Sequence, residues 1–340
     1  MKKKTYIQVL GVFACLAVVA LHVNGCFWQF SYDRYWITAN IIEGICYFAV
    51  PVFFMISGAT LLNYRNRYST AVFFKKRFLK TVIPFLAWSV IGVLWQIFAT
   101  GIVPENFGAL LGGIVNTSYV SIYWFFPALF AIYLAVPFLT LIPEKVRKRG
   151  FGYAILAAFI FQSLLPLIFS LFNITYNTTL NMPVMGENLI FTLLGYWISN
   201  YEIEKKWRYG IYGLGLAGLL MHICFTLMLS YQAGGIVQTF KGYLNVPSVL
   251  YATAVFLLFK NLEQKKIMGL LEKITRPFAG LTFGIYLIHW YLIQVAVIYI
   301  KVPDTSIVYR VFGTICIFLI SALIAKGLQK IPGVRKIIPS

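Results

Sequence analysis

The chain has 340 residues, of which 60% are hydrophobic, 18% aromatic and only 11% charged, whereas soluble globular chains carry about 25% charged residues. That balance excludes a soluble enzyme and predicts an all-α, polytopic membrane protein. A net charge of +19 would suggest nucleic acid as the partner of a soluble domain, but in a membrane chain it predicts basic loops held on the cytoplasmic side, with the lipid bilayer as partner and no nucleic acid.

A helix crossing a hydrocarbon core of about 30 Å needs about 20 residues. Ten apolar runs are predicted as transmembrane helices, at approximately 6–27, 37–63, 82–102, 119–142, 151–172, 182–200, 209–230, 246–260, 277–299 and 305–326, the eighth being the shortest. The first, in "MKKKTYIQVLGVFACLAVVALHVNGC", also resembles a signal peptide ending in a lipoprotein-type box. His22 and Asn24 beside the supposed cleavage point, and the spans downstream, favour an uncleaved helix. The connections are short and polar, without a linker or detectable repeat, so residues 1–340 read as one integral-membrane domain. Cys15, Cys26, Cys46, Cys224 and Cys316 all fall in apolar runs without metal-site or disulfide spacing, and read as small apolar fillers.

With the N-terminus in the cytoplasm, all but four of the 29 Lys and Arg residues fall at the termini or in the loops after spans 2, 4, 6 and 8; the exceptions are Arg34, Lys241, Lys301 and Arg310. This asymmetry predicts ten spans with both termini cytoplasmic, in the plasma membrane.

Ionisable groups inside spans are costly and usually face a cavity or a partner. His22 lies about five residues, roughly 8 Å of helix, below the outer boundary of span 1. Glu43, in "NIIEGICYF" of span 2, reaches a similar depth and is a candidate to orient His22. Glu187 enters span 6 from the same side, and His222 and His289 lie near mid-depth or slightly beyond in spans 7 and 9. Together they predict one polar cavity, although each alone is equally readable as an interhelical hydrogen bond, His222 most of all. Scattered His and Glu without ligand spacing argue against a metal. A histidine with a carboxylate partner can serve as general base for a hydroxyl.

Toward the cytoplasm, Arg77 and Lys80 stand three residues apart in "FFKKRFLKTVIPFLAW" and share a face at helical spacing. They are either ordinary membrane anchors or a grip for phosphates. "FFMISG", residues 53–58, carries Ser57 and Gly58, which allow close packing or leave room for a narrow ligand arm.

These segments together resemble the membrane acyltransferase-3 family of bacterial O-acetyltransferases over nearly the whole chain. "LGVFACLAVVALH" is similar to that family's first helix ending in its catalytic histidine, here His22. "VPVFFMISGATLL" resembles its segment entering the cytoplasm, and "FFKKRFLKTVIPFLAW" its basic pair before a proline, here Arg77, Lys80 and Pro84. "YWFFPALFAIYLAVPFL" resembles the aromatic fourth-span block with Trp124 and Pro137, "LLGYWIS" the block with Gly195 and Tyr196, and "LTFGIYLIHWYLI" the penultimate helix with Tyr286 and His289. Two positions depart from the pattern: Gly11 stands where many members have arginine, and Lys80 where arginine is usual.

The resemblance implies transfer of an acyl group, most often acetyl, from cytosolic acetyl-CoA to a hydroxyl of an extracytoplasmic or lipid-linked carbohydrate. His22 and Glu43 would be the catalytic pair, with His22 as base or, alternatively, acyl carrier. Arg77, Lys80 and Ser57 would hold the donor, and Glu187, Tyr286, His289 and Trp124 are candidates for the acceptor. The competing reading is a transporter or flippase using His22 and Glu43 as a proton relay, but no inverted repeat or paired broken helices support it.

Overall fold

The computed structural model describes residues 4–181, 186 and 188–339. Among them the regular structure is entirely helical. Helix α1 (Thr5–Val23) is apolar except at Thr5, Gln8 and His22, and its first two amides, Thr5 and Tyr6, donate to the Glu263 carboxylate at 2.9 and 2.6 Å. An anion there satisfies orphan donors and complements the positive end of the helix.

Helices α2 (Arg34–Cys46) and α3 (Ala49–Leu61) form one apolar stretch interrupted at Tyr47 and Phe48. Pro51 follows the break and has no N–H to give the Tyr47 carbonyl, so the helical ladder opens there. Proline acts similarly twice more. α4 (Thr70–Arg77) and α5 (Ile83–Thr100) are joined by a π-helical turn over Phe78–Val82, just before Pro84. α6 (Phe107–Val115) and α7 (Phe125–Leu139) follow. α8 (Glu144–Phe159) and α9 (Leu165–Leu171) are joined by a π turn over Ile160–Leu164, just before Pro166. In each case the ladder widens where the proline cannot donate.

The remaining helices are α10 (Leu189–Asn200), α11 (Lys205–Ala233), α12 (Val246–Leu262), α13 (Lys266–Thr275), α14 (Thr282–Gln294) and α15 (Thr314–Leu328). Among the described residues, eight helical stretches are long and apolar enough to cross a membrane, or nine if the bent pair α12–α13 is included. The expected eighth span, 246–260, falls in α12, and the chain turns by 107° into α13, where the charged run Glu263–Lys266 cannot continue through hydrocarbon. The expected sixth span, 182–200, is represented by α10, whose 12 residues extend only about 18 Å. Part of its start lies outside the described residues.

Loops predicted to share the basic face touch one another. Lys4 Nζ donates to the Ser199 carbonyl at 2.9 Å, and Lys260 Nζ to the Tyr201 carbonyl at 2.8 Å. Arg147 is buried among carbonyls of Ile142, Thr140 and Leu62, at 2.7, 2.9 and 3.4 Å. The opposite face is joined by Arg310, which donates to Thr38 Oγ1 at 2.7 Å and Asn24 Oδ1 at 3.3 Å. α3 crosses α10 backbone to backbone: a Cβ at Gly58 would overlap the Thr192 carbonyl, and one at Gly195 the Met55 carbonyl. Small residues are what permit that approach. The crossing holds α3 in a large apolar cluster, and a second cluster joins α5, α14 and α15.

Candidate functional site

One cavity of about 860 Å³ runs through the bundle. Its wall on the basic face includes Gln8, Gly11, Arg77, Lys80 and Thr282, and its wall on the opposite face includes Trp28, Glu43, Lys241 and Tyr243. His22 lines it in the last turn of α1, about 26 Å of helix from Thr5. Ser57, Trp124 and Tyr286 line it as well. Residues far apart in sequence, selected for donor, acceptor and catalysis, thus share one space. Glu187 lies outside the described residues.

His22 is oriented by His289. His289 Nδ1 is 3.1 Å from the Ile285 carbonyl, one turn earlier in α14, and a carbonyl can only accept. In the neutral ring Nε2 then carries the lone pair. His22 Nδ1 is 2.7 Å from that Nε2 and is therefore the donor. This leaves His22 Nε2 unprotonated, on a side chain that lines the cavity. The rings stack at 5.0 Å with 22° between planes, and His289 is fully buried behind His22. His289, expected on the acceptor side, is bonded to His22 and is not among the residues that line the cavity.

Glu43 was the expected partner of His22, and here the structure differs. Its Oε1 lies 3.0 Å from Lys241 Nζ, and both side chains are buried. Similar depth put His22 and Glu43 on one level, but Lys241 enters from the loop between α11 and α12 and takes the carboxylate. A buried carboxylate needs such a partner. His222 lies off the cavity, 4.8 Å from the Tyr47 ring, and its Nε2 has no hydrogen-bond partner, so the interhelical hydrogen bond expected of it is not made at that atom.

Asn24, two residues beyond His22, donates through Nδ2 to the Ala39 carbonyl at 2.9 Å and accepts from buried Arg310 at 3.3 Å. These bonds fix the end of α1. At the basic end, Arg77 closes α4 and its guanidinium lies 5.7 Å from the Tyr133 ring and 5.9 Å from Phe73. Its Nε is buried without a partner, while Lys80, in the π turn, lies more exposed. Ser57 Oγ donates to the Phe53 carbonyl at 3.0 Å, leaving its lone pairs for the cavity.

Tyr243 stacks between Tyr47, at 4.5 Å and 15°, and Trp124, at 5.6 Å and 22°. Tyr286 donates its hydroxyl to the Ile122 carbonyl, so its position in the wall is fixed. Sequence reasoning missed Lys241, Tyr47, Tyr243 and Trp28. The available signal was Lys241 itself, one of few basic residues on the poorly charged side, set in aromatic "TFKGYLN". Among the described residues no three His, Cys, Asp or Glu side chains come close enough to hold a metal ion.

The chain matches the family model described as an acyltransferase domain over residues 4–326. No curated protein and no solved structure matches it.

Proposed function

Since this chain belongs to the membrane acyltransferase-3 family, we propose that it is an O-acyltransferase moving acetyl from acetyl-CoA on the cytoplasmic face to a hydroxyl of a carbohydrate on the far face of the plasma membrane. The observation that carries this reading is the single cavity with Arg77 and Lys80 at one end and His22 toward the other. The basic face is taken as cytoplasmic because nearly all Lys and Arg side chains gather there.

Arg77 and Lys80 hold the phosphates of the donor, and the narrow thioester arm passes Ser57 toward His22. Fixed cations suit a polyanion, with Arg supplying a planar fork and Lys a point charge. His22 Nε2 takes the proton of the acceptor hydroxyl as its oxygen bonds to the thioester carbonyl carbon. Collapse of the tetrahedral intermediate breaks the C–S bond, and the proton on His22 passes to the departing thiolate. His289 accepts from His22 Nδ1–H throughout, fixing the tautomer and supporting the imidazolium. Glu43, committed to Lys241, belongs to the acceptor side in this reading.

The test is transfer from labelled acetyl-CoA in opened membranes, read as base-labile label on envelope glycans. Wild type labels, His22→Ala does not, and Arg77→Ala labels only at higher acetyl-CoA. Equal labelling by wild type and His22→Ala would make His22 structural and remove the reading.

A further inference from the structure

The proton transfer above makes no use of Lys241, yet this lysine is only 3% exposed. It reaches the cavity from the loop after α11, immediately before Gly242, whose φ of +153° favours glycine. Its ammonium meets Glu43 at 3.0 Å and lies 4.3 Å from the Trp28 ring centroid, 4.4 Å from Tyr47 and 5.1 Å from Phe27. A buried ion pair recovers its desolvation cost poorly, and apolar residues of similar volume would close the bundle at least as well. Retaining the pair at the wall of a cavity points to use rather than to stability.

The two ends of the cavity differ in charge. Among its described lining residues the basic end carries Arg77 and Lys80, and the sole carboxylate, Glu43, is at the other end beside Lys241. The first end suits an anion; at the second the two charges cancel. Trp28 is 53% exposed and still lines the cavity, so its ring stands at the mouth above the ion pair.

Building on the acyl-transfer reading above, we infer that Trp28, Lys241 and Glu43 form the acceptor subsite, and that it selects an uncharged, hydroxyl-bearing sugar ring over an acidic one. The part of the Trp28 ring left exposed beside the ammonium covers the apolar C–H face of the sugar. Glu43 accepts from one ring hydroxyl, and the ammonium, with three donors and a single carboxylate contact, donates to a neighbouring one. A sugar carboxylate would bring a second negative charge beside Glu43 with one ammonium to balance two carboxylates, leaving a charge buried without compensation.

The experiment uses opened membranes containing the full chain, labelled acetyl-CoA and a panel of methyl hexosides with the matching methyl uronates as competitors of glycan labelling. The hexosides should inhibit at concentrations at least tenfold below their uronates. Trp28→Ala should raise the hexoside concentration needed by about tenfold and leave half-saturating acetyl-CoA unchanged, while Trp28→Phe stays within about threefold of wild type. Because Lys241→Met alone strands a buried carboxylate, the double variant Lys241→Met/Glu43→Gln is the second arm, and it should abolish the preference between hexoside and uronate.

Equal or better competition by the uronates, competition by no member of the panel, or variants that shift the acetyl-CoA requirement instead would each overturn the inference. Labelling that still depends on His22 would then show that only the acceptor assignment has failed. Labelling independent of His22 would bring down the reading beneath it.

Discussion

Replacing His289 tests the chain of hydrogen bonds that sets the tautomer of His22. In His289→Leu the Ile285 carbonyl keeps its backbone partner, but His22 Nδ1–H, now 2.7 Å from nitrogen, loses its acceptor on the side where His289 is fully buried. Leaving a buried donor unpaired costs about 1–3 kcal/mol, and the imidazolium formed during transfer loses the same support. With each 1.4 kcal/mol worth about tenfold, turnover should fall about 10- to 100-fold. His289→Gln retains an acceptor and should lose less. Initial rates of acetyl transfer, normalised to protein in the membrane and measured across acetyl-CoA concentrations, check this. The loss should appear in kcat, because Arg77 and Lys80 lie at the other end of the cavity. A His289→Leu enzyme within twofold of wild type, or one altered mainly in its acetyl-CoA requirement, would show that His289 does not act through His22.

Three further outcomes follow from the geometry. Arg77→Ala should raise half-saturating acetyl-CoA by about tenfold or more, as one charge-assisted hydrogen bond is worth about 1.5–3 kcal/mol, with Arg77→Lys intermediate; steady-state titration of acetyl-CoA measures it. Gly58→Ala or Gly195→Ala would push a methyl into the facing backbone and should cost about 1–3 kcal/mol, read as a lower unfolding temperature in detergent, whereas Gly11→Ala, with only Ile56 Cδ1 at 3.7 Å, should not shift it. Arg147→Met would strip three carbonyls of a buried charged donor and should lower the same temperature more than Lys145→Met at an exposed site.

The helices were legible because hydropathy and the positions of Lys and Arg are one-dimensional signals. His22, Arg77, Lys80 and Ser57 were singled out by residue type and position and Trp124 and Tyr286 by the family resemblance, and all six line the cavity. Depth arguments fail on azimuth: successive helix residues turn by about 100°, so two side chains at one level can face different neighbours. That is why His22 was matched with Glu43, while the fold gives it His289 and gives Glu43 Lys241. A loop that folds back into the bundle, as residues 234–245 do with Lys241, leaves little hydropathy signal.

Transfer across a sealed membrane tests most directly whether one cavity joins a donor on the basic face to an acceptor on the other. Vesicles of known orientation, carrying glycan on the far side and given labelled acetyl-CoA only on the basic side, should acquire base-labile label on the far-side glycan with wild type and none with His22→Ala. Label that requires acetyl-CoA on the glycan's own side, or that survives His22→Ala, would contradict the account.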